Sequence, residues 1–174
     1  MSSNSGALKG SAQITIRPIL PSDYKALKAF FAALSQATRR LRFHIPIDEL
    51  PEPLLREFTV NDRTHVAFVA ELHDGGDGAA DAPAQLVAEA RYIRSADPES
   101  AEFALVVADN WRRIGLGTTL TRILALSARF AGVRRLWGDV LEDNKAMRAL
   151  AHSLGARLSR TVGGGPVVRL SLEV

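Results

Sequence analysis

Two places in this chain carry residue types able to do chemistry. The first is Arg112-Arg113-Ile114-Gly115-Leu116-Gly117-Thr118, set between an apolar run ending at Ala108 and an amphipathic segment. Glycines at 115 and 117 let the backbone bend tightly and approach a ligand closely. A helix starting there would leave unpaired N–H groups and a positive dipole end facing outward, a cradle for phosphate oxygens. No lysine follows the second glycine, so the segment is not a nucleotide-hydrolysing P-loop, and it does not spell the GxGxxG of a dinucleotide fold. For the loop taken alone, a strand-to-helix turn with incidental glycines is an equal alternative. The second place is Glu102, a carboxylate inside Ala101–Ala108 (AEFALVVA). Partial burial among Ala, Phe, Leu and Val would raise its pKa toward a range useful for moving protons. The competing reading is a rim glutamate paired with an arginine, and Glu89, on the preceding apolar run, stands in reserve.

Other chemistries are excluded by composition. The 174 residues contain no cysteine, which removes thiolate metal sites, disulfide scaffolds and a cysteine nucleophile. It also suits a reducing cytoplasm. His44, His65 and His73 have no metal-ligand spacing with one another or with a carboxylate pair, so no metal is expected. No apolar run approaches the roughly 18 residues needed to cross a bilayer, and residues 1–12 read as a polar, flexible leader without the apolar core of a signal peptide. The net charge of +3 is unevenly spread: nine cations and six anions in residues 1–70, two and nine in 71–109, eleven and four in 110–174. A basic C-terminal third fits nucleic acid or a phosphorylated small molecule. With aromatic residues at 6% and scattered, no base-stacking platform is visible, which favours the small molecule.

The elements that must position these residues follow from periodicity. Gln13–Leu20 alternates as a half-buried strand, and Pro21-Ser22-Asp23 supplies a turn and N-cap for a helix over Tyr24–Leu34. Ser35–His44 is arginine-rich, and a second helix begins near Pro53. Strands follow at His65–Leu72, Gln85–Arg94 and Ala101–Ala108, with the acidic, glycine-rich His73–Pro83 as a hairpin loop. Leu116, Leu120, Ile123, Leu124 and Ser127 then form one helical stripe. Arg134–Leu141 is a strand. Met147, Leu150, Ala151 and Leu154 form another stripe, capped by Asn144 or Asp143 and stopped by Gly155. Arg157–Val162 and Val167–Val174 close the chain as a strand pair across Gly163-Gly164-Gly165-Pro166. The expectation is one α/β (α+β) domain over residues 13–174, with a mixed, mostly antiparallel sheet of about seven strands flanked by about four helices.

Arg112-x-x-Gly115-x-Gly117, placed after the strand Phe103–Val107, resembles the acyl-CoA pyrophosphate loop of the GNAT acetyltransferases, written Gln/Arg-x-x-Gly-x-Gly/Ala. Asn144 with Leu150, Leu154 and Gly155 is similar to the family's Asn-…-Leu-…-Leu-Gly-Phe helix, with Ala156 in place of the usual aromatic residue. Within the family, Ile16-Arg17-Pro18, Leu34-Ser35 through Arg42-Phe43, and Ala101-Glu102-Phe103-Ala104 resemble the Pat-type protein lysine acetyltransferases. Thr38 stands where that group has serine, and His44 follows the phenylalanine.

The resemblance implies an acetyl-CoA-dependent N-acetyltransferase with no metal, acting by direct attack of an amine on the thioester. Glu102 would be the general base. Arg112 and Arg113 would flank the phosphates, Gly115, Gly117 and Thr118 would form the phosphate turn, and Leu105–Val107 would run along the pantetheine arm. There a bulge and the splaying of the next strand would expose main-chain donors, with an amide near Val107 polarising the carbonyl. Asn144 would bind pantetheine or simply cap its helix, and one of Arg112 and Arg113 is as well explained as solvated surface charge. Ala151 occupies the position where many members carry an acid-catalytic tyrosine, and His152, about 100° further round the helix, does not replace it. The acceptor implied is a protein lysine, drawn in by the acidic middle segment. A small amine or protein N-terminus is the rival acceptor, and a non-catalytic CoA-sensing module the rival function. Homodimer formation is allowed by the sequence and not specified by it.

Overall fold

The computed structural model describes residues 13–73, 85–161 and 165–174. The expected leader (1–12), most of the acidic loop and part of the glycine run therefore lie outside the described residues. Seven strands, β1 (Gln13–Pro18), β2 (His65–His73), β3 (Gln85–Arg94), β4 (Ser100–Val107), β5 (Arg135–Leu141), β6 (Arg157–Arg160) and β7 (Val167–Glu173), form one sheet in the order β1-β2-β3-β4-β5-β7-β6. Every pairing is antiparallel except β4 with β5.

Alternation along the strands divides the core between the two faces. On one face Ala88, Ala90, Tyr92, Ala101, Phe103 and Leu136 pack against helix α4 (Leu116–Phe130) through Leu116, Leu120 and Leu124. Helix α5 (Lys145–Ser153) adds Ala151 to this face. On the other face Val69, Leu86 and Val106 meet α1 (Tyr24–Ala33) and α3 (Glu52–Glu57). Phe31, Phe43 and Phe58 form the aromatic centre of this second layer, with ring centroids 5.6–6.4 Å apart.

Three features depart from the sequence expectations. A fifth helix, α2 (Gln36–Phe43), fills the arginine-rich stretch; Ser35 caps it by accepting the Thr38 N–H at 3.2 Å. Asp23 does not cap α1. Its carboxylate instead accepts the Leu20 N–H and both terminal nitrogens of Arg17, which fixes the turn out of β1. The bulge falls on β3 and not on β4: register shifts opposite Ala70 and Glu71, where Val87 is the extra residue. From Ala88↔Val107 to Arg94↔Ala101 the β3–β4 ladder is unbroken.

Candidate active site

The only parallel seam of the described sheet opens the site. β5 pairs with β4 over three residues, from Ser100↔Arg135 to Glu102↔Trp137, and then leaves it. Gly138, the next residue of β5, passes so close that a Cβ there would lie 2.6 Å from the Phe103 carbonyl oxygen. The strands thus touch at Phe103 and part beyond it. Main-chain direction alternates along β4. The Ala108 N–H donates toward β3, to Val87, at 2.9 Å. The main-chain groups of Leu105 and Val107 therefore face the gap that β5 vacates.

The Arg112–Thr118 loop lies at the end of that gap. Arg113 (φ 62°) and Gly115 (φ 87°) both adopt left-handed backbone, and the pair of reversals turns the chain directly into α4. No side chain caps α4. The N–H groups of its first turn are consequently free for an anion, favoured by the dipole of a 15-residue helix. Gly117 faces Leu105 and Leu150, with Leu105 Cδ2 at 3.4 Å from where its Cβ would be, and this lets α4 lie against β4. Thr118, in the first turn, is half-buried.

The two arginines separate. Arg113 is exposed beside the turn, free to face a phosphate. Arg112 is engaged elsewhere: its Nη2 donates to Thr38 Oγ1 at 2.5 Å and lies 3.3 Å from Asp109, while its Nε donates to the Val107 carbonyl at 3.3 Å. Asn144 does cap α5, its Oδ1 accepting the Met147 N–H at 3.1 Å, and it also lines the cleft.

Between the α2 end and the parting strands lies a cavity of about 300 Å³, walled by Arg42, Phe43, His44, Glu102, Leu105, Asp139 and Asn144 among others. Glu102 is the carboxylate at its seam. The expected burial is absent: Ala101 and Phe103 point into the core, while Glu102 on the alternate face is exposed. Asp139, on the opposite strand, is held by the Arg169 guanidinium through two 2.8 Å hydrogen bonds. The hydrogen bonds to Asp139 in turn hold the Arg169 guanidinium above its ordinary value, against the opposing effect of burial. That guanidinium lies 4.2 Å over the Trp137 ring.

The reserve candidate, Glu89, is fully buried beneath this wall. Arg91 Nε donates to it at 2.5 Å, and an Arg42 nitrogen lies 3.9 Å away. Burial lowers the Arg42 pKa, and the Glu89 charge opposes that shift. Arg42 and Arg91 both sit over the Phe58 ring, at 5.5 and 3.7 Å. Glu89 is a structural counter-ion with no access to an acceptor. Ala151 is 1% exposed in the core and carries no acid group, and His152 is exposed and not among the lining residues. Gly138, His44 and Asp139 are the site residues that sequence reasoning passed over. The one available signal was a glycine in the middle of the apolar strand Arg135–Leu141 (RLWGDVL).

A sequence comparison matches residues 31–156, well over half of the chain, to the acetyltransferase (GNAT) family. The chain belongs to the GNAT acetyltransferase family. An acetyltransferase of Pseudomonas aeruginosa is 31% identical over 86% of this chain and 77% of its own length. Acetyltransferase Pat of Mycolicibacterium smegmatis is 33% identical over 81% of this chain, which spans only 40% of that relative. Among solved structures, the GNAT domain of S. lividans PAT superposes with a TM-score of 0.78 at 27% identity, covering 91% of this chain and 89% of that one. This GNAT protein is an acetyl-CoA-dependent N-acetyltransferase. The chain fits the cosubstrate: a helix start without a side-chain cap and a left-handed glycine before it follow a strand, β4, whose edge is left free by β5 beyond Glu102. Among the described residues no cluster of three metal-ligating side chains occurs, and no helix is long and apolar enough to cross a membrane.

Proposed function

We propose that residues 13–174 form a single catalytic domain that acetylates protein lysines in the cytoplasm, with Glu102 taking the amine proton. The observation that carries this reading is the position of Glu102, an exposed carboxylate at the point where β4 and β5 part, on the wall of the cleft. Likeness to Pat over 81% of the chain and the Pat-like pattern from Leu34 to Phe43 support a lysine acceptor.

A lysine ammonium of pKa near 10.4 must lose its proton before it attacks, which costs about 4.6 kcal/mol at pH 7. Glu102 lowers that barrier by accepting the proton and passing it to the solvent that reaches it. Arg42, whose charge sits in the same wall, disfavours a second cation and so helps the amine become neutral. Bound acetyl-CoA supplies the acetyl group as a thioester. The N–H groups of Gly115 through Thr118, with exposed Arg113, hold its phosphates. The Leu105 and Val107 main chain lies along the pantetheine arm, and an N–H there stabilises charge on the thioester oxygen. The thiolate, with a pKa near 8.5, leaves without a dedicated acid. Asn144 orders the start of α5 at the cleft edge.

Incubation with acetyl-CoA and a mixed panel of lysate proteins and small amines, read by mass spectrometry, tests the acceptor. Acetylated lysine side chains are the expected product. Acetyl groups confined to small amines or N-termini would replace the protein-lysine acceptor, and no transfer to any acceptor would leave a CoA-binding module.

A further inference from the structure

The side chain that the family pattern places at the phosphate loop is bound to the acceptor wall. Arg112 Nη2 donates to Thr38 Oγ1 at 2.5 Å, and the Thr38 hydroxyl donates to Asp109 Oδ1 at 2.7 Å. Asp109 also accepts the Ser35 N–H and the Ser35 hydroxyl, each at 3.1 Å, and Ser35 Oγ accepts the Thr38 N–H that begins α2. The network closes on itself. Burial pushes the Asp109 carboxyl up, but the bonds from Thr38 and Ser35 and the Arg112 charge outweigh it and hold it below the ordinary range. Arg112 Nε meanwhile holds the Val107 carbonyl, the last residue of β4.

The other end of α2 is the cleft wall itself, through Leu41, Arg42, Phe43 and His44. Only about one turn of helix separates Thr38 from those residues, so a shift of Thr38 is carried directly to them. Gln36–Phe43 carries three arginines, and Thr38 is its one fully buried residue.

We infer that Arg112 is a positioning residue and not a phosphate ligand: with Asp109, Thr38 and Ser35 it latches the acceptor wall to the cosubstrate loop, so that filling the loop orders the wall. The inference rests on the reading of the Arg112–Gly117 loop as the CoA site. It assigns a chemical reason to the Ser-x-x-Thr spacing at the start of α2, whose two hydroxyls meet one carboxylate 74 and 71 residues away. It also makes the acceptor side responsive to the cosubstrate in the way reciprocal linkage requires.

The test combines CoA titration by calorimetry with amide hydrogen exchange over residues 39–44, on the wild-type chain, Arg112→Gln, Thr38→Val and Thr38→Ser. In the wild type, CoA slows exchange over this segment. Arg112→Gln and Thr38→Val keep CoA affinity within about threefold yet lose the CoA-dependent protection, and Thr38→Ser, which restores the hydroxyl, regains it. Loss of a direct charged phosphate contact would instead weaken CoA by roughly tenfold or more in Arg112→Gln alone, and that result overturns the assignment. Protection retained in both variants, or absent from a wild-type chain that binds CoA, overturns the latch while leaving the CoA site intact. A wild-type chain that fails to bind CoA refutes the loop reading and the latch together.

Discussion

Replacing Gly138 by alanine places one methyl group at the narrowest point of the sheet. The new Cβ would stand 2.6 Å from the Phe103 carbonyl oxygen, a backbone atom that cannot rotate away. Optimal separations are roughly 3.5 Å, so β5 must retreat by most of an ångström or β4 must twist. Overpacking of this kind costs about 1–3 kcal/mol. At 2–4 °C per kcal/mol for a chain of this size, that lowers Tm by roughly 2–12 °C. The functional loss should exceed the loss of stability. The strain falls one residue past Glu102↔Trp137, where the cleft opens, and displacement of reacting groups by about 1 Å costs on the order of 10²-fold in rate. Thermal unfolding followed by calorimetry, with acetyl transfer measured well below Tm, checks both quantities. A Gly138→Ala protein with wild-type Tm and wild-type turnover would refute the close approach as the device that shapes the cleft.

Further outcomes follow from other contacts. Gly115→Glu forces a side chain into left-handed backbone (φ 87°) and sets a negative charge against the start of α4, so calorimetry should detect no CoA binding; retained affinity would contradict the phosphate turn. Glu89→Ala leaves Arg91 and Arg42 buried without their counter-ion and should cost roughly 3–5 kcal/mol in denaturant unfolding, whereas a loss below about 1 kcal/mol would show that Glu89 is not the counter-ion. Burial pushes the Asp23 carboxyl up, yet hydrogen bonds from Arg17 and the Leu20 N–H prevail and leave it below its ordinary value. A carboxyl depressed in the folded state stabilises fully above its unfolded value of about 3.9, and that stability is lost as pH falls through the folded value. Tm should therefore fall less steeply below about pH 4 in Asp23→Asn than in the wild type, and parallel curves would contradict the pairing.

The sheet and the strand-to-helix turn before α4 were legible because each rests on local pattern. Alternation marked the first strand, apolar runs between turn residues marked the other six, and the change of period after Ala108 marked the helix that begins at Leu116. Helix α2 was not legible, because Leu41 and Phe43 give it too few apolar positions for a stripe and its start is held by Asp109, far away in sequence. The exposure of Glu102 was hidden for a related reason. Ala-Glu-Phe-Ala-Leu-Val-Val is apolar enough to suggest burial on both faces, yet Glu102 lies exposed on the face opposite Ala101 and Phe103. Arg112 fitted a sequence pattern whose spacing says nothing of where a long side chain ends; its partner, Thr38, lies on an element that periodicity did not reveal. The bulge was misplaced by one strand because Val87, in a continuous apolar run, looks like its neighbours.

The assignment of the base to Glu102 is tested most directly by Glu102→Gln, which preserves shape and removes the proton acceptor. The account predicts CoA affinity close to wild type, because Glu102 lies at the β4–β5 seam and not at the start of α4, together with a fall in acetyl transfer of roughly 10²–10⁴-fold. Wild-type turnover with an unchanged pH profile would contradict it.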